Sequence, residues 1–361
     1  MGNMIANVLG ALIILVFVAS VTLGGDYSTP GNINVNDLSI LPYNSNILYA
    51  AVNNDGLYRS INGGKEWTRY AIEGMHDIST IHIDSKTHDI YIGTLYDIYI
   101  SNDVDGARWS KLSGGMPWGA WRILIQQTTP PRMYIANSHG CHMLDMSKNN
   151  WKEIKIPVEN IAITPVAIDP MDPMIIYVSM GRPEDVVLDD GWNGNGLYKS
   201  YDYGKNWEKI DSVGSSVLLI YPHDSNIMYS AFGKKILKSI DRGMSWEEKE
   251  IDGIKSNISS LTMNQNDSNV LYATTSEYYS YGVFGGTPVY SLSRIYKSVD
   301  GGETWHQASD FPANKVIIDP SDPDILYAGT PGWGIFKSTN AGKTWKSCNK
   351  GIKPRKLLKD R

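Results

Sequence analysis

The sequence predicts an all-β chain folded as a seven-bladed β-propeller, and two observations carry that reading. An eight-residue box recurs at intervals near forty residues, and short Tyr-rich apolar runs recur with it. The box is most complete as SVDGGETW, Ser298 to Trp305. Four further copies are SINGGKEW from Ser60, SYDYGKNW from Ser200, SIDRGMSW from Ser239 and STNAGKTW from Ser338. Two are worn: SNDVDGARW from Ser101 has one extra residue, and LDMSKNNW from Leu144 lacks the glycine. The closing tryptophans, Trp67, Trp109, Trp151, Trp207, Trp246, Trp305 and Trp345, are spaced by 42, 42, 56, 39, 59 and 40 residues, so the count of units is seven.

Each unit supplies four strands. Upstream of every box lie two short runs, such as ILYAAV then GLYRS, IIYVSM then GLYKS, or ILYAGT then GIFKS. Another apolar run precedes them and often ends in a turn such as IDPMDPM at Ile168 or IDPSDPD at Ile318. Alternation, β-branched and aromatic enrichment, and Pro, Asp, Asn or Gly punctuation mark these runs as strands. The fourth strand opens at the box tryptophan. Four antiparallel strands repeated radially make a propeller whose sheet faces are buried against one another. Asn32 to Leu41 supplies the inner strand of blade one or, in part, completes blade seven.

The box has a structural reading that needs no ligand. A short acidic or amide side chain bonds the backbone of its own turn, the glycine accepts a positive φ, and the tryptophan packs into the blade. This assigns a structural role to Ser60, Asn62, Gly64 and Trp67, to Ser200, Asp202, Gly204 and Trp207, and to Ser239, Asp241, Gly243 and Trp246. The same role falls to Ser298, Asp300, Gly302 and Trp305, and to Ser338, Asn340, Gly342 and Trp345. Burying one indole of roughly 200 Å² contributes at most about 5 kcal/mol.

These boxes resemble the Asp-box, or BNR, repeats of sialidases, xyloglucanase-type endoglucanases, sortilin-type receptors and photosystem II assembly-factor propellers. The resemblance runs from Asn32 to about Lys350. It implies the fold, while the activities of those families differ. In xyloglucanase-type enzymes the first blade reads like YARTDVGGAYR with a catalytic aspartate at the fifth letter. The matching stretch here is YAAVNNDGLYR from Tyr49, which puts Asn53 at the carboxylate position. Those enzymes also use two propellers, and this chain has length for one. A sialidase implies three arginines around a carboxylate. Arg122, Arg182 and Arg294 map to one face, but AWRIL at Ala120 is a poor match to the Phe/Tyr-Arg-Ile-Pro motif.

Composition narrows the partners. A net charge of −5 and the absence of a Lys/Arg stripe argue against nucleic acid. Ile5 to Thr22 is an uninterrupted run of apolar and small residues, long enough to cross a bilayer and lacking a cationic start. Residues 1–25 are therefore expected to be a hydrophobic helix that serves as a membrane anchor or a signal peptide, with 26–361 as an extracytoplasmic, monomeric propeller. The two cysteines, Cys141 and Cys348, fall in blades three and seven, too far apart for a disulfide. His139, Cys141 and His142 are dense, but alternation sends Cys141 and His142 to opposite sides, so no metal or other cofactor is expected.

Insertions indicate a functional face. The two longest spacings arise between the second and third strands of blades four and six, at Gly181–Asn195 and Ser276–Ser293. Four tryptophans outside the boxes map to the same side: Trp118, Trp121, Trp192 and Trp333. Together with Arg122, Arg182, Tyr278, Tyr279, Tyr281 and Arg294 they make candidate contacts for a carbohydrate or protein ligand. The alternative is that the aromatic rings plug the channel mouth or pack beneath their own loops. A glycoside hydrolase needs two placed carboxylates, for which Glu184, Asp185, Asp189 and Asp190 are the candidates. A non-catalytic binding module is the first expectation and a hydrolase the second.

Overall fold

The computed structural model describes residues 33–353 apart from 71–76, 104–107, 113–119, 121, 138–139, 158–162, 181–195, 212–213, 255 and 277–292. The described residues form seven antiparallel sheets, six of four strands in chain order and one in which Pro331–Gly332 adds a fifth strand beside the first. The inner strands are Ile33–Leu41, Ile78–Ile83, Arg122–Gln126, Ile163–Ile168, Val217–Ile220, Asn257–Asn264 and Lys315–Ile318. This is a seven-bladed β-propeller, and the described residues include no helix. The apolar segment at Ile5–Thr22 lies outside the described residues. Because each blade is a simple up-and-down meander, connections between second and third strands share the upper face with those between blades. The boxes and the first turns share the lower face.

The tryptophans correct one expectation. Each box tryptophan packs in the joint with the preceding blade, not into its own sheet. Trp67 of blade one lies with Ile317, Tyr327 and Ile335 of blade seven, and Trp345 of blade seven with Tyr272 and Ile295 of blade six. All seven hydrophobic clusters straddle two blades and hold one box tryptophan. The cause is geometric: a blade is one sheet thick, so its dry surfaces are its two faces, and apolar burial must occur between blades.

The five complete boxes share one hydrogen-bond pattern. The serine hydroxyl accepts the N–H of the fifth-position glycine at 2.8–3.0 Å. It donates to the third-position carboxylate or amide, which in turn accepts the N–H of the seventh residue at 2.8–2.9 Å. Positions four and five both carry positive φ, so even Tyr203, Arg242 and Ala341 are left-handed, at +64°, +60° and +54°. The turn of blade three departs from this. With leucine for the serine and no glycine at position five, it closes as a hairpin pairing Asp145 with Asn150, and Trp151 already lies within the outer strand. Elsewhere the outer strand begins one residue after the tryptophan.

A tyrosine of each second strand in blades four to seven reaches the next box. Tyr177, Tyr229, Tyr272 and Tyr327 donate their hydroxyls to the position-four carbonyls of Arg242, Gly301, Ala341 and Gly63 at 2.9–3.3 Å. Each tyrosine faces a lysine across the strand pair, Lys199, Lys238, Lys297 or Lys337. The ammonium groups lie 5.0–5.9 Å from the ring centroids. Lys199, Lys297 and Lys337 donate to the same carbonyl as their tyrosine, whereas Lys238 pairs with Glu303. In blades two and three the tyrosines, Tyr91 and Tyr134, face Ile100 and Met143, and their hydroxyls turn to Asp89 and Gln126 of the same blade.

The ring closes through the same link, Tyr327 and Lys337 to Gly63, supported by two additions. The first strand pairs along blade one while Ile33 and Asn34 also pair with Gly332 and Pro331 of blade seven, so both readings of Asn32–Leu41 apply. The Trp67 amide and indole N–H then donate to the carbonyls of Lys350 and Cys348.

Trp67→Ala should cost about 3–5 kcal/mol in a denaturant melt, because it empties the closing joint. Acid should loosen the boxes. Hydrogen bonds hold the carboxyls of Asp202, Asp241 and Asp300 down at about 2, against an ordinary 3.8. The largest contributions come from the backbone N–H of Asn206 and the hydroxyls of Ser245 and Thr304. Stabilisation is therefore complete above pH 4 and lost as pH falls through about 2. Asp300→Asn, which copies the native Asn62 and Asn340, should flatten the fall of Tm across that window.

Candidate ligand face and central channel

The inner strands enclose a channel of about 650 Å³, lined by residues of blades one, two, three, five, six and seven. At its upper mouth strand-initial polar residues replace the apolar run. Asp37 is buried, and its carboxylate accepts the N–H groups of Leu38 and Ile81 at 2.9 and 2.8 Å and an ion pair from Lys315. Asn314 donates to the Val35 carbonyl and the Asn34 side chain, and Asn36 to the Ile78 carbonyl. Neighbouring blades are thus laced together around the mouth. Burial holds the His82 imidazole down to about 4, which keeps it neutral at neutral pH.

Arg122 opens the inner strand of blade three and lines this channel. Water reaches it through the lumen, yet protein surrounds it, and desolvation lowers its pKa against the opposing pull of Asp37. Arg294 immediately precedes the third strand of blade six, Ile295–Ser298, and its guanidinium donates to the Ser293 carbonyl at 2.7 Å. Trp333 is half-buried on the connection in blade seven. It packs toward the cluster containing Phe311 and Ala313, and its backbone bridges to Ile33. Trp118, Trp121, Arg182, Glu184, Asp185, Asp189, Asp190, Trp192, Tyr278, Tyr279 and Tyr281 lie outside the described residues. The strands flanking them, ending at Lys111, Met180 and Ser276 and resuming at Arg122, Gly196 and Ile295, put both insertions between second and third strands.

Three carboxylates described on this face are engaged, whereas Asp77, Asp252 and Asp310 on the connections between blades are exposed. Asp55 accepts the Tyr58 hydroxyl at 2.5 Å and pairs with Arg69 at 3.0 Å, and Asp97 pairs with Lys111 at 2.6 Å. Asn53 sits two residues before Asp55 in the blade-one connection, its N–H bonded to the Asn34 carbonyl. Every described carboxyl whose pKa departs clearly from its ordinary value is lowered: Asp84, Asp145, Asp202, Asp241, Asp300 and Glu303. A general acid for glycoside cleavage needs the opposite shift. Both cysteines are free, and burial pushes each thiol up to about 12. Among the described residues no cluster of His, Cys, Asp or Glu is placed to hold a metal ion.

Sequence reasoning missed Asp37, His82, Asn314 and Lys315. Asp37, Asn314 and Lys315 were signalled as polar residues near the start of otherwise apolar inner runs, in NINVNDLSIL and NKVIID, and His82 stands near the end of ISTIHI, but box periodicity marks none of them.

No family model matches the chain. A xyloglucanase of Paenibacillus sp is 22% identical over 289 residues, which is 69% of this chain and 23% of that protein. A xyloglucanase of Acetivibrio thermocellus is 24% identical over 307 residues, covering 67% of this chain and 34% of the relative. The chain therefore spans between 23% and 34% of the length of these relatives. Among solved structures, a GH74 enzyme of Niastella koreensis superposes with a TM-score of 0.71 at 17% identity over 91% of this chain and 56% of that one. YCF48 of Cyanidioschyzon merolae gives 0.61 at 14% identity over 88% and 98%, and YCF48 has also been solved with a D1 peptide. The chain is a seven-bladed propeller that resembles xyloglucanase-type and assembly-factor propellers.

Lys315→Met leaves the buried Asp37 carboxylate without its cation and should lower stability by about 1–3 kcal/mol in urea unfolding. The double variant with Asp37→Asn should recover part of that loss.

Proposed function

We propose that this propeller is a carbohydrate-binding module that works outside the cytoplasm, and that its ligand engages the upper face. The observation that carries the reading is the state of three carboxylates described there: Asp37, Asp55 and Asp97 are each committed to a cation. Asn53 stands where the resemblance to xyloglucanase-type enzymes calls for a carboxylate. The xyloglucanases among the relatives support a carbohydrate as ligand. The insertions of blades four and six, with Trp118, Trp121, Arg182, Trp192, Tyr278, Tyr279 and Tyr281, would frame the binding surface, and Arg122, Arg294 and Trp333 would complete it. Aromatic faces with interleaved polar groups suit the apolar planes and hydroxyls of sugars. Residues 1–25 would hold the propeller at a membrane or direct its export.

A second reading follows from the same relatives, whose names are those of hydrolases. In it Glu184, Asp185, Asp189 and Asp190 supply the acid and the base. A protein ligand, as in YCF48 with the D1 peptide, is the remaining class.

The test is a panel of polysaccharides, xyloglucan included, scored both for retention of the protein and for released reducing ends. Retention without release is expected. Trp192→Ala and Trp333→Ala should weaken retention, and Asp189→Asn and Asp190→Asn should leave it unchanged. Sugar release that disappears in the Asp variants would replace the binding module with a hydrolase.

A further inference from the structure

The upper channel holds two cations against one carboxylate. Lys315 is neutralised by Asp37, whereas the Arg122 guanidinium makes no hydrogen bond or ion pair among the described residues. Arg122 is exposed to the lumen, so its guanidinium is accessible to an incoming anion. Among the charged residues lining the channel, Arg122 and Lys315 stand against Asp37 at the upper mouth and Asp319 at the other end. The lumen of about 650 Å³ lies in the size range of small-molecule sites. Asn36, Asn314 and Ser259 line it as well, and amides and hydroxyls of this kind suit a sugar's hydroxyl groups.

A guanidinium binds a carboxylate through two parallel N–H donors, a geometry a lysine lacks. Resting on the carbohydrate reading above, we propose that the upper channel is a binding site for the carboxylate of an acidic sugar, with Arg122 as the residue that holds it. Asp37 then has two functions. It fixes Lys315 and the blade-two backbone, and it sets the affinity by competing with the incoming anion for positive charge. Removing Arg122 leaves no bonded partner exposed, so the fold does not depend on it.

Calorimetric titration of the full chain tests this with glucuronate and galacturonate as ligands, glucose as the neutral counterpart, an oligogalacturonide, and acetate, phosphate and a short peptide with a free C-terminus as competing anions. A saturable uronate complex is expected, at least about tenfold tighter than glucose, and Arg122→Gln should weaken it about tenfold or more without changing Tm. Arg122→Lys should recover only part of the loss. Asp37→Asn should tighten uronate while leaving glucose unchanged. Binding of the oligouronide but not of the free acid also supports the proposal and identifies a polymer as the source of the carboxylate. Equal binding of uronate and glucose overturns it, as do full uronate affinity in Arg122→Gln, acetate or phosphate binding as tight as uronate, or capture of the peptide carboxylate alone. If neutral polysaccharides are retained while uronates fail, only this inference falls; failure of both removes the carbohydrate reading too.

Discussion

A tyrosine hydroxyl donated to the box carbonyl of the following blade is the contact that sets four of the seven joints, including the one that closes the ring. Each blade is a single sheet, so nothing within it can bury both faces, and stability must come from the joints. The tyrosine and its cross-strand lysine fix the angle of the joint by reaching a carbonyl that the box has already made rigid. That carbonyl is available because two successive left-handed residues turn it outward, and the serine–aspartate bonds hold the left-handed pair in place. Local strain in the box and register between blades are therefore one device. Closing the circle required no new element: blade seven treats blade one as its next neighbour, Tyr327 to Gly63.

The two faces follow from that economy. The lower face is occupied by boxes and by the aspartate-capped first turns, where Ser45 and Ser225 of one blade bond Asp319 and Asp169 of the preceding one. Its polar atoms serve the architecture. The upper face has no corresponding repeat, and its polar residues vary from blade to blade: Asp37 in the first, Arg122 in the third, Lys315 in the seventh. Non-repeating chemistry on a repeating frame is where ligand recognition is proposed, as loops and channel mouths are free to vary while the joints are not.

Much of the fold was legible in the sequence because the box is local. Serine, aspartate, glycine and tryptophan at fixed offsets act within eight residues, so blade count, strand order and the sides of the insertions could be read directly. The destination of the tryptophan was not legible, since a pattern within one blade does not say which neighbour covers it. The Tyr–Lys pairs were visible as IIYVSM with GLYKS or ILYAGT with GIFKS, yet the tyrosine's partner lies some sixty or more residues away, in the next box. Of the candidate ligand site, Arg122 was named from its position and Asp37 and Lys315 were not, because the ion pair joins strands 278 residues apart. Long-range electrostatics leaves no period to find.

Amide hydrogen exchange followed by mass spectrometry tests the tyrosine links most directly. Segments containing Gly63, Arg242, Gly301 and Ala341 should exchange only with global unfolding, whereas the blade-three turn at 146–149, which no tyrosine of blade two reaches, should exchange through local opening. Equal protection of the blade-three turn and the four linked boxes, or faster exchange in the boxes, would show that the joints are held by apolar packing alone and would contradict the account.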